Sequence, residues 1–420
     1  MTDAVERPGL TDLLRRPGVG RIFDALDGDG EETRIVGGAV RNALLLRPVN
    51  EVDFATTALP EVTTARAEAA GLKVVPTGLD HGTVTVIVDG EPFEVTTLRE
   101  DLETYGRRAK VRFGRSFEHD AQRRDFTINA LSVTRDGRIA DEVGGLADLA
   151  AHRVRFIGDP AARIREDYLR ILRFFRFHAE YAAGPLDTAG FHAAIEGRAG
   201  LAMLSRERVG AEFRKLMVAR RCLEVVGAVS NAGFFAQLLG GVADLGRLGR
   251  AVGFEREGGL PADPARRLAA VAVAVAEDAD RLRERLRLSN AERDRLAAYA
   301  GALARITSLR SLAPADIRRV AAAFGTQALG DVWAAARGEP AATFQAEARA
   351  ALDRFVAGYE AAPRMPLRGA DLMARGAKPG PGLGALMDEA RALWLSWGAP
   401  TEEAVRGRLA DTVFPSPPLS

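Results

Sequence analysis

The chain has 420 residues, 47% of them hydrophobic and 27% charged, with a formal net charge of +1. That length exceeds one ordinary domain, and the balance excludes wholesale disorder. A single cysteine, Cys222, excludes an internal disulfide framework and a cysteine-based zinc site. Residues 1–16 hold Asp3, Glu6, Arg7 and Pro8 without an apolar stretch, so no secretory signal is expected and the expected compartment is the cytoplasm. Thr33 to Val36 reads as a short strand ending in Gly37-Gly38. A helical stretch follows from Ala39 to Leu46, then a second strand from Val52 to Thr56. Gly82–Val88 and Pro92–Leu98 flank Asp89-Gly90 and predict a hairpin, and Ile128–Thr134 with Arg138–Val143 around Asp136-Gly137 predict another.

After residue 147 the β signal fades. Helical spacing takes over in Asp167–His178, Glu207–Ala219, Pro264–Leu286 and Asn290–Ile306, with breaks at Gly184-Pro185, Gly258-Gly259 and Gly338-Glu339-Pro340. The longest apolar run, Leu268 to Ala276, is far short of the roughly 20 residues of a membrane span and predicts a buried helix. Lys378-Pro-Gly-Pro-Gly-Leu-Gly follows no strand and lacks the Lys-Ser/Thr of a phosphate loop, so it predicts the turn before a helix. Pro415 to Ser420 is expected to be a disordered end. The pattern is α+β: a small mixed sheet followed by a long helical remainder.

Lys73, Lys110, Lys215 and Lys378 are the only lysines, so positive charge is almost all arginine. Arg107, Arg108, Lys110, Arg112, Arg115, Arg123 and Arg124 form one group; Arg163, Arg165, Arg170, Arg173 and Arg176 form another. Such patches suit a polyanion, with solvated surface as the alternative. Gly37-Gly38 between strand and helix lets backbone approach a phosphate, and Arg41, one turn later, reaches toward the same place. Glu51 and Asp53, one residue apart on a strand, point to the same face and suit a pair of divalent ions; a solvated acidic strand end is the alternative. Glu94 is a supporting third carboxylate whose side-chain parity depends on register. Arg124 is read either as a triphosphate clamp or as an ion pair with Asp120 or Asp125. On one helix, Asp167 and Arg170 share a flank and combine an acceptor with a fork of donors, as a nucleobase edge requires. The alternative is an intrahelical ion-pair set that includes Glu166 and Arg170. Arg173 continues the row, whereas Arg176 lies about half a turn from Asp167.

Gly-Gly-Ala-Val-Arg at 37–41, Glu-Val-Asp at 51–53 and Arg-Arg-Asp-Phe-Thr-Ile-Asn-Ala-Leu at 123–131 resemble the class II tRNA nucleotidyltransferase/poly(A) polymerase family. Gly-Gly-Leu-Ala-Asp-Leu at 144–149, Glu-Asp-Tyr-Leu-Arg at 166–170 and Arg-Glu-Arg-Val-Gly-Ala-Glu at 206–212 continue the match in family order. The resemblance implies a polymerase beta-type nucleotidyltransferase head over 20–146, a helical neck over 147–222 and a helical body and tail over 223–420 that hold tRNA. It implies addition of CCA to the tRNA 3′ end from CTP and ATP with Mg²⁺ as cofactor, and no stable protein partner. Glu51 and Asp53 would be the catalytic metal ligands, and Gly38, Arg41, Arg124, Asp167, Arg170, Arg173 and Arg176 the nucleotide contacts. Arg99 to Arg115 corresponds to a mobile loop implicated in the switch from C to A addition, and the stretch Gly78 to Val84 favours CCA addition over poly(A) synthesis. Departures from the family pattern are Glu51 for the commoner Asp, Asn42 for a usual Asp and Leu46 for a usual Gly. Rival expectations are a poly(A) polymerase, a partial enzyme adding only CC or only A, and a non-catalytic RNA-binding protein.

Overall fold

The computed structural model describes residues 7–78, 82–105, 108–339 and 343–415, without side chains at 77 and 100–112. The expectations for Leu79-Asp80-His81, for the side chains of Arg107, Arg108, Lys110 and Arg112, and for residues 416–420 lie outside the described residues. The described chain divides into two compact units, residues 1–205 and 206–420.

The first unit is built on strands β1 (Thr33–Val36), β2 (Asp53–Thr56), β3 (Lys73–Gly78), β4 (Thr83–Val88), β5 (Glu91–Thr97), β8 (Ser132–Val133) and β9 (Ile139–Ala140); β6 (Arg99–Tyr105) and β7 (Arg108–Phe113) pair separately as a ribbon. The sheet order is β3-β4-β5-β2-β1-β8-β9, and β2 with β5 is its parallel pair. The Asp89-Gly90 hairpin forms as expected. Val88 faces Glu91 across a two-residue turn, and φ of +51° and +88° at Asp89 and Gly90 is the twist a tight hairpin needs. The second hairpin is shorter than its apolar pattern suggested. Thr127–Asn129 is a 3-10 turn, and only Ser132–Val133 pairs with Ile139–Ala140. In the turn the Asn129 and Ala130 N–H groups donate to the Phe126 and Thr127 carbonyls, and the Thr127 and Asn129 side chains bond Asp148 and Asp125, so its polar groups are satisfied without a strand partner.

Helices α1 (Pro8–Leu14), α2 (Pro17–Leu26), α3 (Gly38–Leu44), α4 (Pro60–Ala69), α5 (Phe117–Gln122), α6 (Gly145–Ala150), α7 (Pro160–Glu166), α8 (Leu169–Tyr181) and α9 (Thr188–Glu196) complete this unit. Helix α2 buries Val19, Ile22, Phe23 and Leu26, and Phe23, Phe54 and Phe93 stack edge to face at 5.4 and 6.1 Å. A second aromatic core, Phe126 with Phe156 and Phe177 at 5.0 and 5.2 Å, docks α8 against the segment before the 3-10 turn. The stretch 167–178 is not one helix from its first residue. Asp167 is extended (φ −156°, ψ 108°) between α7 and α8, and its Oδ1 accepts the Leu169 N–H at 3.1 Å.

The second unit is almost entirely helical. It opens with α10 (Arg206–Val218), whose Gly210 is required: an added Cβ would lie 2.0 Å from the carbonyl oxygen of Leu286. The helix expected over 264–286 is two, Pro264–Ala272 and Glu277–Leu286. Asp278 Oδ2 accepts from the N–H groups of Ala274 and Val275 at 2.7 and 3.0 Å, giving the intervening backbone partners outside a helix. Leu268 to Val273 is buried, but Ala274, Val275 and Ala276 are exposed, so the apolar run turns outward at its end. Ser311–Leu312 and Thr343–Phe344 add a two-residue parallel pairing. The glycine- and proline-rich segment does precede a helix, Pro381–Ser396. Among the described residues no helix is long and apolar enough to cross a membrane.

Candidate active site

The site starts where β1 runs into α3. Gly37 has φ of +70° and ψ of −122°, and a Cβ there would lie 3.0 Å from Arg124 Nη1, so only glycine fits. A Cβ on Gly38 would lie 3.6 Å from Arg41 Nη2. Two guanidiniums therefore flank one bend of backbone.

Arg41 is buried, and its donors meet neutral oxygens: Asn42 Oδ1 from Nε and Nη2 at 3.2 and 3.0 Å, Tyr181 Oη from Nη2 at 2.8 Å, and Asn129 Oδ1 from Nη1. Its Cζ lies 4.0 Å from the centre of the Tyr181 ring. Burial lowers its pKa, with Tyr181 and Asp125 opposing and Arg176 adding to the shift. Asn42, in place of a usual Asp, keeps the acceptor oxygen and uses its Nδ2 to donate to the Pro48 carbonyl at 3.2 Å. Arg124 is held by Asp120, with Nε and Nη2 at 3.1 and 2.9 Å from Oδ2, so the Asp120 ion pair exists. Burial pushes the Asp120 carboxyl up, but Arg124 and Arg123 outweigh it and leave its pKa below the ordinary value.

Asp53 stands on the neighbouring strand. In the β1–β2 register Val36 faces Asp53, which puts Asp53 beside the residue preceding the glycine bend. Glu51 lies just ahead of β2 and outside it, with buried Val52 between it and Asp53, so the two carboxylates do not stand on one strand as expected; Glu51 still acts electrostatically on Asp53. Glu94 is the direct partner of Asp53 across the parallel β2–β5 pair, which settles its parity: both side chains leave the same face. Burial, then Glu94, then Glu51 raise the Asp53 pKa, against the pull of Arg124. Among the described residues no group of three or more His, Cys, Asp or Glu is drawn together tightly enough to hold a metal ion. The donor set still fits a hard divalent cation. It is all oxygen, and the mutual repulsion at Asp53 is the charge that a cation would relieve.

The segment 120–129 is fastened from behind. Asn129 Nδ2 donates to Asp125 Oδ1 at 3.0 Å, and Arg173 Nε donates to Asp125 Oδ2 at 2.7 Å. Burial raises the Asp125 carboxyl, and Arg173 with Asn129 more than offsets it. Fully buried Asp148 accepts from Thr127 Oγ1 at 2.6 Å and from Arg153 and Arg155, so the Gly-Gly-Leu-Ala-Asp-Leu stretch is a structural pin.

Asp167 and Arg170 do not share a helix flank, because α8 begins after Asp167. They are nevertheless adjacent, with the Arg170 N–H donating to the Asp167 carbonyl at 3.0 Å. Arg170 Nη1 bonds Glu166 and the Arg163 carbonyl, so the ion pair weighed as the alternative is present. Arg176 lies over the Phe177 ring at 4.3 Å and acts electrostatically on Arg41. The structure thus draws Gly38, Arg41, Arg124 and Asp53 to one bend, while Arg173 connects to it through Asp125 and Asn129. Sequence reading offers Asp120 as a possible partner of Arg124 but assigns no role to Tyr181 or Asn129.

Comparison with known proteins places this geometry. A family profile for the Poly A polymerase head domain matches residues 33–155. The chain is 43% identical over 216 residues to the mitochondrial CCA tRNA nucleotidyltransferase 1 of Danio rerio, covering 51% of this chain and 50% of that protein. It is 40% identical over 223 residues to the CCA-adding enzyme of Bacillus licheniformis, covering 52% and 54%. The chain thus spans about half the length of the curated relatives it matches. The Bacillus stearothermophilus CCA-adding enzyme, solved with CTP, superposes with a TM-score of 0.71 at 26% identity over 97% of this chain and 98% of that one. The Thermotoga maritima CCA-adding enzyme, solved with tRNA, shares the fold with a TM-score of 0.65 at 18% identity, covering 97% of each chain.

Proposed function

We propose that the chain is a member of the class II tRNA nucleotidyltransferase/poly(A) polymerase family and adds CCA to the 3′ end of tRNA from CTP and ATP, a reading supported by its likeness to CCA-adding enzymes. The proposal includes the head, neck and body-tail division at 20–146, 147–222 and 223–420, a cytoplasmic location, and Mg²⁺ as the metal of a metal-dependent family. One observation supports it above the others. The Val36–Asp53 register sets a group of mutually repelling carboxylates next to a glycine bend flanked by Arg41 and Arg124.

In this reading the tRNA 3′-hydroxyl oxygen attacks the α-phosphorus of the nucleotide, and the bond to pyrophosphate breaks as the phosphodiester forms. Divalent ions held by Glu51 and Asp53, with Glu94 in support, would supply Lewis-acid stabilisation of the charge on the reacting oxygens. Gly37 and Gly38 let the triphosphate close on backbone. Arg124 and Arg41 draw and orient it, and Arg124 exchanges part of its Asp120 pairing for phosphate. Asp167 accepts from, and Arg170 donates to, the edge of cytosine or adenine; Arg173 and Arg176 continue the cationic row.

The deciding measurement sequences the products made from tRNA ending at the discriminator base with all four nucleotides present. Full CCA is expected; CC, A or poly(A) tails identify the partial or poly(A) alternatives, and no product supports the RNA-binding one. Asp53→Asn is expected to abolish incorporation while leaving tRNA affinity nearly unchanged. It is also expected to raise the melting temperature of metal-free protein at pH 7. A carboxyl whose folded pKa is raised loses stability as pH climbs from its unfolded to its folded pKa, and removing its charge recovers that loss.

A further inference from the structure

We propose that Tyr181, at the end of α8, is a positioning residue for nucleotide binding: it holds Arg41 beside the glycine bend with its charge uncancelled and ties that bend to the helix carrying Arg170 and Arg173. The inference rests on the nucleotidyl-transfer reading above. Arg124, Arg170 and Arg173 each bond a carboxylate, from Asp120, Glu166 and Asp125 respectively. Arg41 is more deeply buried, yet among the described residues its bonds go to Asn42, Asn129 and Tyr181 and to no carboxylate.

A cation taken from water without a bonded carboxylate is costly and needs either a local partner or a ligand. The Tyr181 ring 4.0 Å from Arg41 Cζ, with the Phe177 ring at 5.2 Å, stabilises the guanidinium without neutralising it. The Tyr181 hydroxyl accepts from Nη2 at 2.8 Å and lies 3.3 Å from Asn42 Oδ1, which fixes the rotation of the guanidinium plane. That same Nη2 faces Gly38. The charge is thereby reserved for an anion arriving at the bend, and a polyphosphate is the anion the proposed substrate brings. From Tyr181 the bonded path runs through Arg41, Asn129 and Asp125 to Arg173, so the phosphate end and the base-reading end of the site share one set of bonds.

Tyr181→Phe keeps the ring and removes the hydroxyl; Tyr181→Leu removes both. KM for CTP and ATP is expected to rise about fivefold in the first, the worth of roughly one hydrogen bond, and further in the second. kcat at saturating nucleotide and tRNA affinity should stay within about twofold of the wild type, since the loss falls on binding and not on a contact specific to the transition state. Calorimetric titration of CTP in the absence of tRNA reads the same step independently of turnover, and weaker binding is expected in the same order. Unchanged CTP affinity and KM in both variants would overturn the inference, as would a fall in kcat alone. Wild-type protein that binds CTP but fails to extend tRNA would sink the functional reading while leaving the Tyr181 comparison intact.

Discussion

Leu46 carries a cost that its side chain does not explain. It follows the C-cap of α3 with φ of +53°, and it is 69% exposed. That is the left-handed position at which a helix commonly ends on glycine. A non-glycine residue in this region costs roughly 1–2 kcal/mol, and glycine returns about 0.4–1 kcal/mol of that as unfolded-chain entropy. Leu46→Gly is therefore expected to stabilise the protein by about 0.5–1 kcal/mol in chemical denaturation, with little change in KM. Asp53 is the opposite case. Its neighbours disfavour its charge in the metal-free protein, and that stored repulsion is what a divalent ion would release.

At the level of elements, the site is made by where short segments stop. β1 ends at Val36, α7 ends at Glu166, and a 3-10 turn occupies Thr127–Asn129 ahead of β8. Each stop exposes polar groups at the edge of a packed aromatic core. Helix α6 sets the position of the 3-10 turn: a Cβ on Gly145 would lie 2.4 Å from the Thr127 carbonyl oxygen, too close for backbone to absorb without shifting. Gly145→Ala should cost about 1–3 kcal/mol through overpacking. It should also raise KM for CTP, because Asn129 moves with the turn and takes its bond to Arg41 with it. Retained stability and unchanged KM would show that the turn is not pinned from α6.

On the scale of the whole molecule, both units combine apolar packing with buried aspartates held by arginines. In the first, Asp148 pairs with Arg153 and Arg155 beside the aromatic core. In the second, Asp331, 1% exposed, receives Arg266 and Arg295 at 2.9 and 2.8 Å, and Asp263 also binds Arg295. Removing one member of such a set strands buried charge, which costs about 3–5 kcal/mol. Asp331→Ala is expected to lower the unfolding transition of residues 206–420 by that amount. CTP affinity should be unchanged, since every residue assigned to the nucleotide lies in the first unit. Loss of CTP binding at temperatures where the variant remains folded would contradict this separation.

Local features announced most of the chemistry. Gly37-Gly38, the Glu51–Asp53 spacing and the Asp89-Gly90 hairpin depend on backbone freedom and on alternation within a few residues, and periodicity alone separated the sheet from the helical remainder. Three matters lay beyond that reach. The parity of Glu94 came from the β2–β5 register, which pairs residues 53 and 94. The break before α8 came from the Asp167 side chain capping Leu169, which competes with helix propensity only once both ends are packed. The partner of Arg41 came from Tyr181, 140 residues away. The sequence by itself determined which groups exist and which short segments present them, because those properties are set by neighbouring residues. Tertiary structure decided which charges are cancelled and which are kept, because counter-ions and rings are brought together by packing between elements distant in the chain.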